Sequence, residues 1–213
     1  ICVHDYGQWS TTGALCLTTA LVCYLALFPA LQGYLLARYW PQDNPSKLIL
    51  AAPALTIVCE CFRNHCLTGF PWLNLGYTQV NTILGAWAPL LGVYGVSLVL
   101  CIISGGVVAM WSHRHHRKLA LRYAAIVTLL YCASCGLSTM TWTTPRQQHY
   151  AVSLVQASIA QDLKWQSSQI IPTIQRYLTL TQPYWRQRII IWPEAAIPVP
   201  TTQCQALLRN LRQ

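Results

Sequence analysis

Glu194 is the residue from which chemistry can most readily be built. It follows Ile189-Ile190-Ile191-Trp192-Pro193, an apolar, β-branched run closed by proline, which predicts a short buried strand with the carboxylate at its tip. Only one other acidic side chain, Asp162, lies between Thr141 and the C-terminus. A charge set against Trp192 and between Pro193 and Pro198 is costly to bury, and catalysis is one use that offsets such a cost. A turn-capping carboxylate, or one paired with an arginine, would have the same local sequence, so Glu194 alone does not separate the two.

Other chemistry-bearing residues point less far. Of the ten cysteines, Cys16, Cys23, Cys59, Cys101, Cys132 and Cys135 lie in apolar segments, where cysteine behaves as a small hydrophobe and not as part of a disulfide framework. Cys132-Ala-Ser-Cys135 has the C-x-x-C spacing but lies in an apolar helix with no βαβ context. His113, His115 and His116 lack carboxylate or cysteine partners at ligand spacing, so Ser112 to Lys118 reads as a solvated basic turn and not as a metal site.

The elements that must position Glu194 begin in a membrane. Of 213 residues 54% are hydrophobic and 9% charged, against about a quarter charged in an ordinary soluble domain. Apolar runs predict spans at about residues 12–37, 48–63, 89–110 and 119–140, each judged against the ~20 residues that cross a hydrocarbon core. The second is the weakest, since it meets Glu60 and Arg63 near its end and needs them to pair at i,i+3 or to reach the interface. Residues 64–88 are uncharged but rich in Gly, Pro, Asn and aromatics, which predicts an irregular element at the interface or lining a cavity. Basic residues cluster around Arg38 and Lys47 and again from Arg114 to Arg122, which makes that side cytoplasmic and leaves the segment after Met140 outside.

Residues 141–213 change character. Ala151 to Ala157 predicts a strand, and Ile170, Ile171, Ile174, Tyr177, Leu178 and Thr181 fall on one helical face, with Ser167 or Ser168 as N-cap and Pro172 in the first turn. With Ile189 to Trp192 the order is strand, helix, strand, the opening of an α/β domain with a parallel pair; Gln203 to Arg212 predicts a further helix. About seventy residues are too few to close such a domain. Ile1 and Gln213 both look like cut ends, which predicts a fragment or a processed product. The formal charge of +9 suits anionic lipid headgroups; no nucleic-acid motif accompanies it, and nucleic acid is set aside as a partner.

Four blocks in order carry a resemblance: Leu67-Thr68-Gly69-Phe70-Pro71-Trp72 with Leu75-Gly76-Tyr77; Ala88-Pro89 with Gly92-Val93; Val152 to Gln156 leading to Gln161 and Lys164-Trp165; and Ile190 to Glu194 with Ala196-Ile197-Pro198. Together they resemble the apolipoprotein N-acyltransferases, membrane members of the nitrilase (carbon-nitrogen hydrolase) superfamily. The resemblance implies a multi-span α-helical membrane domain over 1–140 followed by the truncated start of a nitrilase-like α-β-β-α sandwich over 141–213, in the bacterial inner membrane with the second part periplasmic. It implies transfer of an acyl chain from a phospholipid to the diacylglyceryl-cysteine of an apolipoprotein, through a thioester on a Glu-Lys-Cys site and without cofactor or metal. Glu194 matches the base, and the lysine and cysteine of that family fall beyond Gln213, so the chain alone is expected to be inactive. Lys164 and Cys204 do not match those two positions. Trp165 and Trp72, with Phe70 and Gly69, correspond to substrate-binding positions; an interfacial aromatic belt is the competing account of the tryptophans. Glu60 and Arg63 fit a Glu-x-x-Arg of the family, read here as a paired anchor at a helix end. Asn64, His65 and Pro172 depart from the pattern. An inactive remnant, a lipid-binding membrane protein or a membrane-anchored amidase of the wider nitrilase group are the alternatives.

Overall fold

The computed structural model describes all residues except 1–3, 6, 8, 42–44, 147–148, 201, 203, 206–208 and 210–213. The chain divides into two compact units, Leu15–Thr144 and Ile1–Ala14 with Pro145–Gln213.

Three helical stretches are long and apolar enough to cross a membrane: Thr11–Tyr39, Ile83–Ser112 and Arg117–Ser138. They overlap three of the four predicted spans, the last helix ending at Ser138, two residues short of the expected end. In order the helices are α1 (Thr11–Tyr39), α2 (Ala52–His65), α3 (Ala88–Ser112) and α4 (Arg117–Ser138). The backbone of α3 breaks at Gly92, whose φ of 64° and ψ of −170° no helix contains. The predicted second span corresponds to a five-residue π-helical turn, Lys47–Ala51, running into the 14-residue α2. Beyond His65 the chain is irregular as expected, with 3-10 turns at Pro71–Leu73, Leu75–Gln79 and Ile83–Trp87.

Leu84, Val99 and Ile103 form the buried core of this unit, with Trp87, Leu100, Val127 and Leu130 packed on it. Polar groups of α4 and of the 3-10 turn that precedes α3 satisfy one another. The indole N–H of Trp87 donates to Ser134 Oγ at 2.8 Å, and Ser134, fully buried, donates in turn to the Leu130 carbonyl at 2.7 Å. Such pairing is what a polar atom needs at a depth where no water competes.

In the second unit β1 (Val152–Leu154) and β2 (Ile189–Ile191) lie parallel, with Val152 opposite Ile189, Ser153 opposite Ile190 and Leu154 opposite Ile191. Between them come a single helical turn α5 (Gln161–Lys164) and the helix α6 (Ile170–Thr181), so the expected strand, helix, strand order is present. Val155, Ala157, Tyr177 and Ala196 form its core, flanked by Ile159, Ile190 and Trp192. Three expectations need correction. Strand β2 is not buried: Ile189 and Ile191 are exposed and Ile190 is half-buried, because a two-stranded sheet covers one face at most. Neither Ser167 nor Ser168 caps α6; both lie in a 3-10 turn, Ser167–Gln169, and Gln169 precedes the helix without a side-chain cap. The buried face of α6 runs through Thr173, Tyr177 and Thr181, so Ile171 points outward. The helix expected from Gln203 to Arg212 falls largely on residues outside those described.

Candidate functional site

Glu194 stands just past the end of β2 on a four-residue turn, Pro193 to Ala196, closed by a 3.2 Å bond from the Ala196 N–H to the Pro193 carbonyl. Ala195, third in the turn, has φ of 53°. That left-handed value costs a non-glycine residue ~1–2 kcal/mol, so the packing of Ala196 in the core must hold the turn in place. The Glu194 side chain is exposed, against the expectation of a carboxylate buried on Trp192. Among the described residues the carboxylate has no hydrogen-bonding or ion-pair partner, so neither a capped turn nor an arginine pair accounts for it.

Trp192 is turned to a different task. Its ring lies 5.2 Å from that of Tyr177 at 32°, and its indole N–H donates to Thr181 Oγ1 at 2.9 Å. Thr181, 1% exposed, donates onward to the Tyr177 carbonyl at 2.7 Å. The last residue of α6 therefore fixes the indole, and with it the direction in which the chain leaves β2. A cavity of about 420 Å³ opens beside these residues, lined by Thr181, Trp185, Arg188, Ile190, Trp192 and Ile197.

Lys164 ties a second expected site residue to Glu194. Its ammonium donates to the Glu194 carbonyl at 3.3 Å and stands 5.9 Å from the centre of the Trp165 ring, on the limit of a cation-π contact. Glu194 and Trp165 thus flank one cation. Trp165 is 62% exposed, so its ring is open to a ligand.

Phe70, Trp72 and Gly69 belong to the other unit. The Phe70 and Trp72 rings lie 6.0 Å apart at 36°, with Trp72 81% exposed. Gly69 has φ of 78°, and a Cβ there would sit 2.3 Å from the Asn64 carbonyl oxygen, so only glycine makes this turn. The expected ion pair of Glu60 with Arg63 is not made among the described residues. Each instead bonds the loop that follows: Glu60 Oε1 accepts from the Leu75 N–H at 2.7 Å, and Arg63 donates to the Phe70 carbonyl at 3.3 Å and to Asn74 Oδ1 at 2.7 Å. The Asn64 amide, turned so that its oxygen accepts from Asn74 Nδ2 and the Tyr94 hydroxyl at 2.8 Å each, joins the same group. Sequence reasoning placed Tyr177 and Thr181 on the apolar face of α6, which the structure buries, but missed their contacts with Trp192 and missed this asparagine network. The signal available was the presence of Asn64 and Asn74 within an otherwise uncharged, apolar stretch.

Membrane-crossing helices joined to a parallel strand-helix-strand segment, with a carboxylate at the strand's end, define a membrane protein that carries an α/β segment. Residues 1–106 match the family model described as the apolipoprotein N-acyltransferase N-terminal domain. Curated relatives of the same name extend the likeness to nearly the whole chain. That of Vibrio cholerae serotype O1 is 39% identical over 99% of this chain and 41% of its own length. That of Methylococcus capsulatus is 36% identical over 93% and 39%, and that of Coxiella burnetii 35% over 99% and 44%. The chain belongs to the apolipoprotein N-acyltransferase family, and it spans about two fifths of the length of the curated relatives it matches.

Proposed function

We propose that these residues form the membrane-embedded N-terminal part of an enzyme that moves an acyl chain from a phospholipid to the N-terminal diacylglyceryl-cysteine of an apolipoprotein, and that Glu194 is its general base. In the first half-reaction Glu194 takes the proton of a cysteine thiol as the thiolate attacks the phospholipid ester. The tetrahedral oxyanion collapses to a thioester, and the leaving lysophospholipid oxygen takes the proton back. In the second, the acceptor's α-amino group attacks the thioester, Glu194 takes the ammonium proton, and the thiol is released. A lysine that stabilises the oxyanion and the nucleophilic cysteine complete the site, and both lie outside these 213 residues. Lys164 does not stand in for that lysine, because its ammonium is directed at the Glu194 carbonyl. Cys204 does not stand in for the nucleophile, because it is buried at 7% exposure.

The observation that carries the proposal is the Glu194 carboxylate itself, held on a strained turn at a strand end, exposed, and engaged in no structural bond among the described residues. Trp165, sharing the Lys164 ammonium with Glu194, is proposed to contact substrate there, and Phe70 and Trp72 to meet the acyl donor. The π-helical turn and α2 together cover about 28 Å, close to the ~30 Å of a hydrocarbon core, and are proposed as the second of four spans. Residues 141–213 are then the start of a nitrilase-like domain on the periplasmic face of the inner membrane.

The test is a chimera of residues 1–213 joined to the part of the Vibrio cholerae relative that lies beyond the aligned region. In cells depleted of their own N-acyltransferase, the chimera is expected to yield N-acylated lipoprotein by mass spectrometry, and its Glu194→Gln form none. Full acylation by the Glu194→Gln chimera removes Glu194 from the reaction. The 213 residues alone are expected to give no acylation.

A further inference from the structure

An irregular loop at membrane depth has to find partners for its backbone groups, and a charge there has to find partners for itself. The segment Cys66 to Gln79 and the residues Glu60 and Arg63 solve both problems together. Glu60, 4% exposed, satisfies the Leu75 N–H, and Arg63 satisfies the Phe70 carbonyl and the side chain of Asn74, itself 3% exposed. The Arg63 carbonyl takes the Phe70 N–H at 3.1 Å, and Ser97 Oγ takes the Gly76 N–H at 2.7 Å. All of these bonds but that of Arg63 to the Asn74 side chain engage a backbone group of the loop. The side chains between them point outward: Trp72 is 81% exposed, Leu73 53% and Tyr77 51%. Glu60 Oε2 is buried with no partner among the described residues, so a single oxygen of this side chain performs the holding.

We propose that Glu60 and Arg63 are positioning residues: from the end of α2 they hold Phe70 to Leu75 so that the Trp72 ring, with the half-buried Phe70 ring beside it, faces phospholipid acyl chains. The occupant follows from continuity. No charged residue occurs between Arg63 and Arg114, and the loop runs directly into the apolar stretch Ile83–Ser112. The lipid-facing half of the inference rests on the proposed contact of Phe70 and Trp72 with the acyl donor; the holding half does not.

The experiment places the 213-residue chain in phosphatidylcholine bilayers and reads two signals. Amide exchange at Phe70 to Gly76 reports the hold, and quenching by brominated acyl chains, taken as the difference between the chain and its Trp72→Phe form, reports the ring. Glu60→Ala is expected to speed exchange at Leu75 about tenfold and to lower the Trp72 quenching. Glu60→Gln keeps an oxygen for the Leu75 N–H and is expected to leave both signals near those of the parent chain, a rescue that a general need for charge does not give. If Glu60→Ala does not fold, as judged by circular dichroism, Asn74→Ala replaces it, with the same rise confined to residues 70–76. Unchanged exchange in the folded variant, or Glu60→Gln behaving as Glu60→Ala, overturns the hold. A parent chain whose Trp72 is not quenched overturns the lipid contact and leaves the hold to be judged on exchange alone.

Discussion

Replacing Thr181 by valine isolates one atom of the scaffold behind Glu194. Valine keeps the shape of threonine at a site 1% exposed and removes the oxygen that accepts from the Trp192 indole at 2.9 Å. The Tyr177 carbonyl, to which Thr181 donates, keeps its helical partner in α6, so it loses little. The cost is therefore mainly that of a half-buried indole N–H left without an acceptor, about 1 kcal/mol, at the lower end of the range because water reaches part of the ring. Native-state hydrogen exchange measures this locally, without assuming that a chain of two units unfolds in one step. The reporter is the Val155 N–H, which extends the parallel pair by bonding the Ile191 carbonyl at 3.0 Å and sits in the core that Trp192 flanks. Thr181→Val is expected to speed its exchange about fivefold. Thr181→Ser, which keeps the acceptor and loses a methyl group, adds a packing cost of its own, so the decisive comparison is with Trp192→Phe. In that background the indole N–H is gone and Thr181→Val should add only a few tenths of a kcal/mol. An effect of Thr181→Val that is equal in the parent chain and in the Trp192→Phe background refutes the claim that Thr181 fixes the indole.

The same geometry sets three other expectations. Gly69→Ala combines φ of 78° with a Cβ 2.3 Å from a backbone oxygen, so it is expected to destabilise the membrane unit by at least ~2 kcal/mol, seen as a lower midpoint in denaturant titration from bilayers. Ser134→Ala leaves the Trp87 N–H, in the turn before α3, without its acceptor on α4 and is expected to cost about 0.6 kcal/mol in the same titration, the usual size of a hydrogen bond between membrane segments. Glu194→Gln is expected to leave the thermal midpoint of the chain unchanged while abolishing acylation by the chimera; a lowered midpoint assigns the carboxylate a structural role instead.

How far the fold is legible in sequence depends on how local its causes are. The three long spans follow from length and hydropathy alone, and the parallel pair follows from an apolar β-branched run separated from an earlier strand by one amphipathic helix. The exposure of Glu194 does not follow, because the run Ile189 to Trp192 reads as interior in sequence, whereas burial needs a second layer against both faces of the sheet. Within these residues α6 covers one face, and the Ile189 and Ile191 side chains remain exposed. Adjacency in sequence makes Trp192 a wall beside Glu194; a contact across 11 residues, to Thr181, turns it toward α6.

Glu60 and Arg63 show the other kind of failure. An i,i+3 spacing on a helix makes an ion pair geometrically available, and in a low dielectric the attraction is strong, so pairing is the natural expectation. What competes with it is the backbone of the following loop. An N–H or a carbonyl buried without a partner costs about 1–3 kcal/mol, and a 3-10 loop that turns back on its helix offers several of them at once. Charged side chains make stronger hydrogen bonds to such groups than neutral ones do, so giving Glu60 to Leu75 and Arg63 to Phe70 and Asn74 satisfies donors and acceptors that a mutual pair would have left exposed. Two charges at the end of an apolar helix, followed by an uncharged stretch rich in glycine, proline and asparagine, are therefore better read as anchors for the loop than as partners for each other.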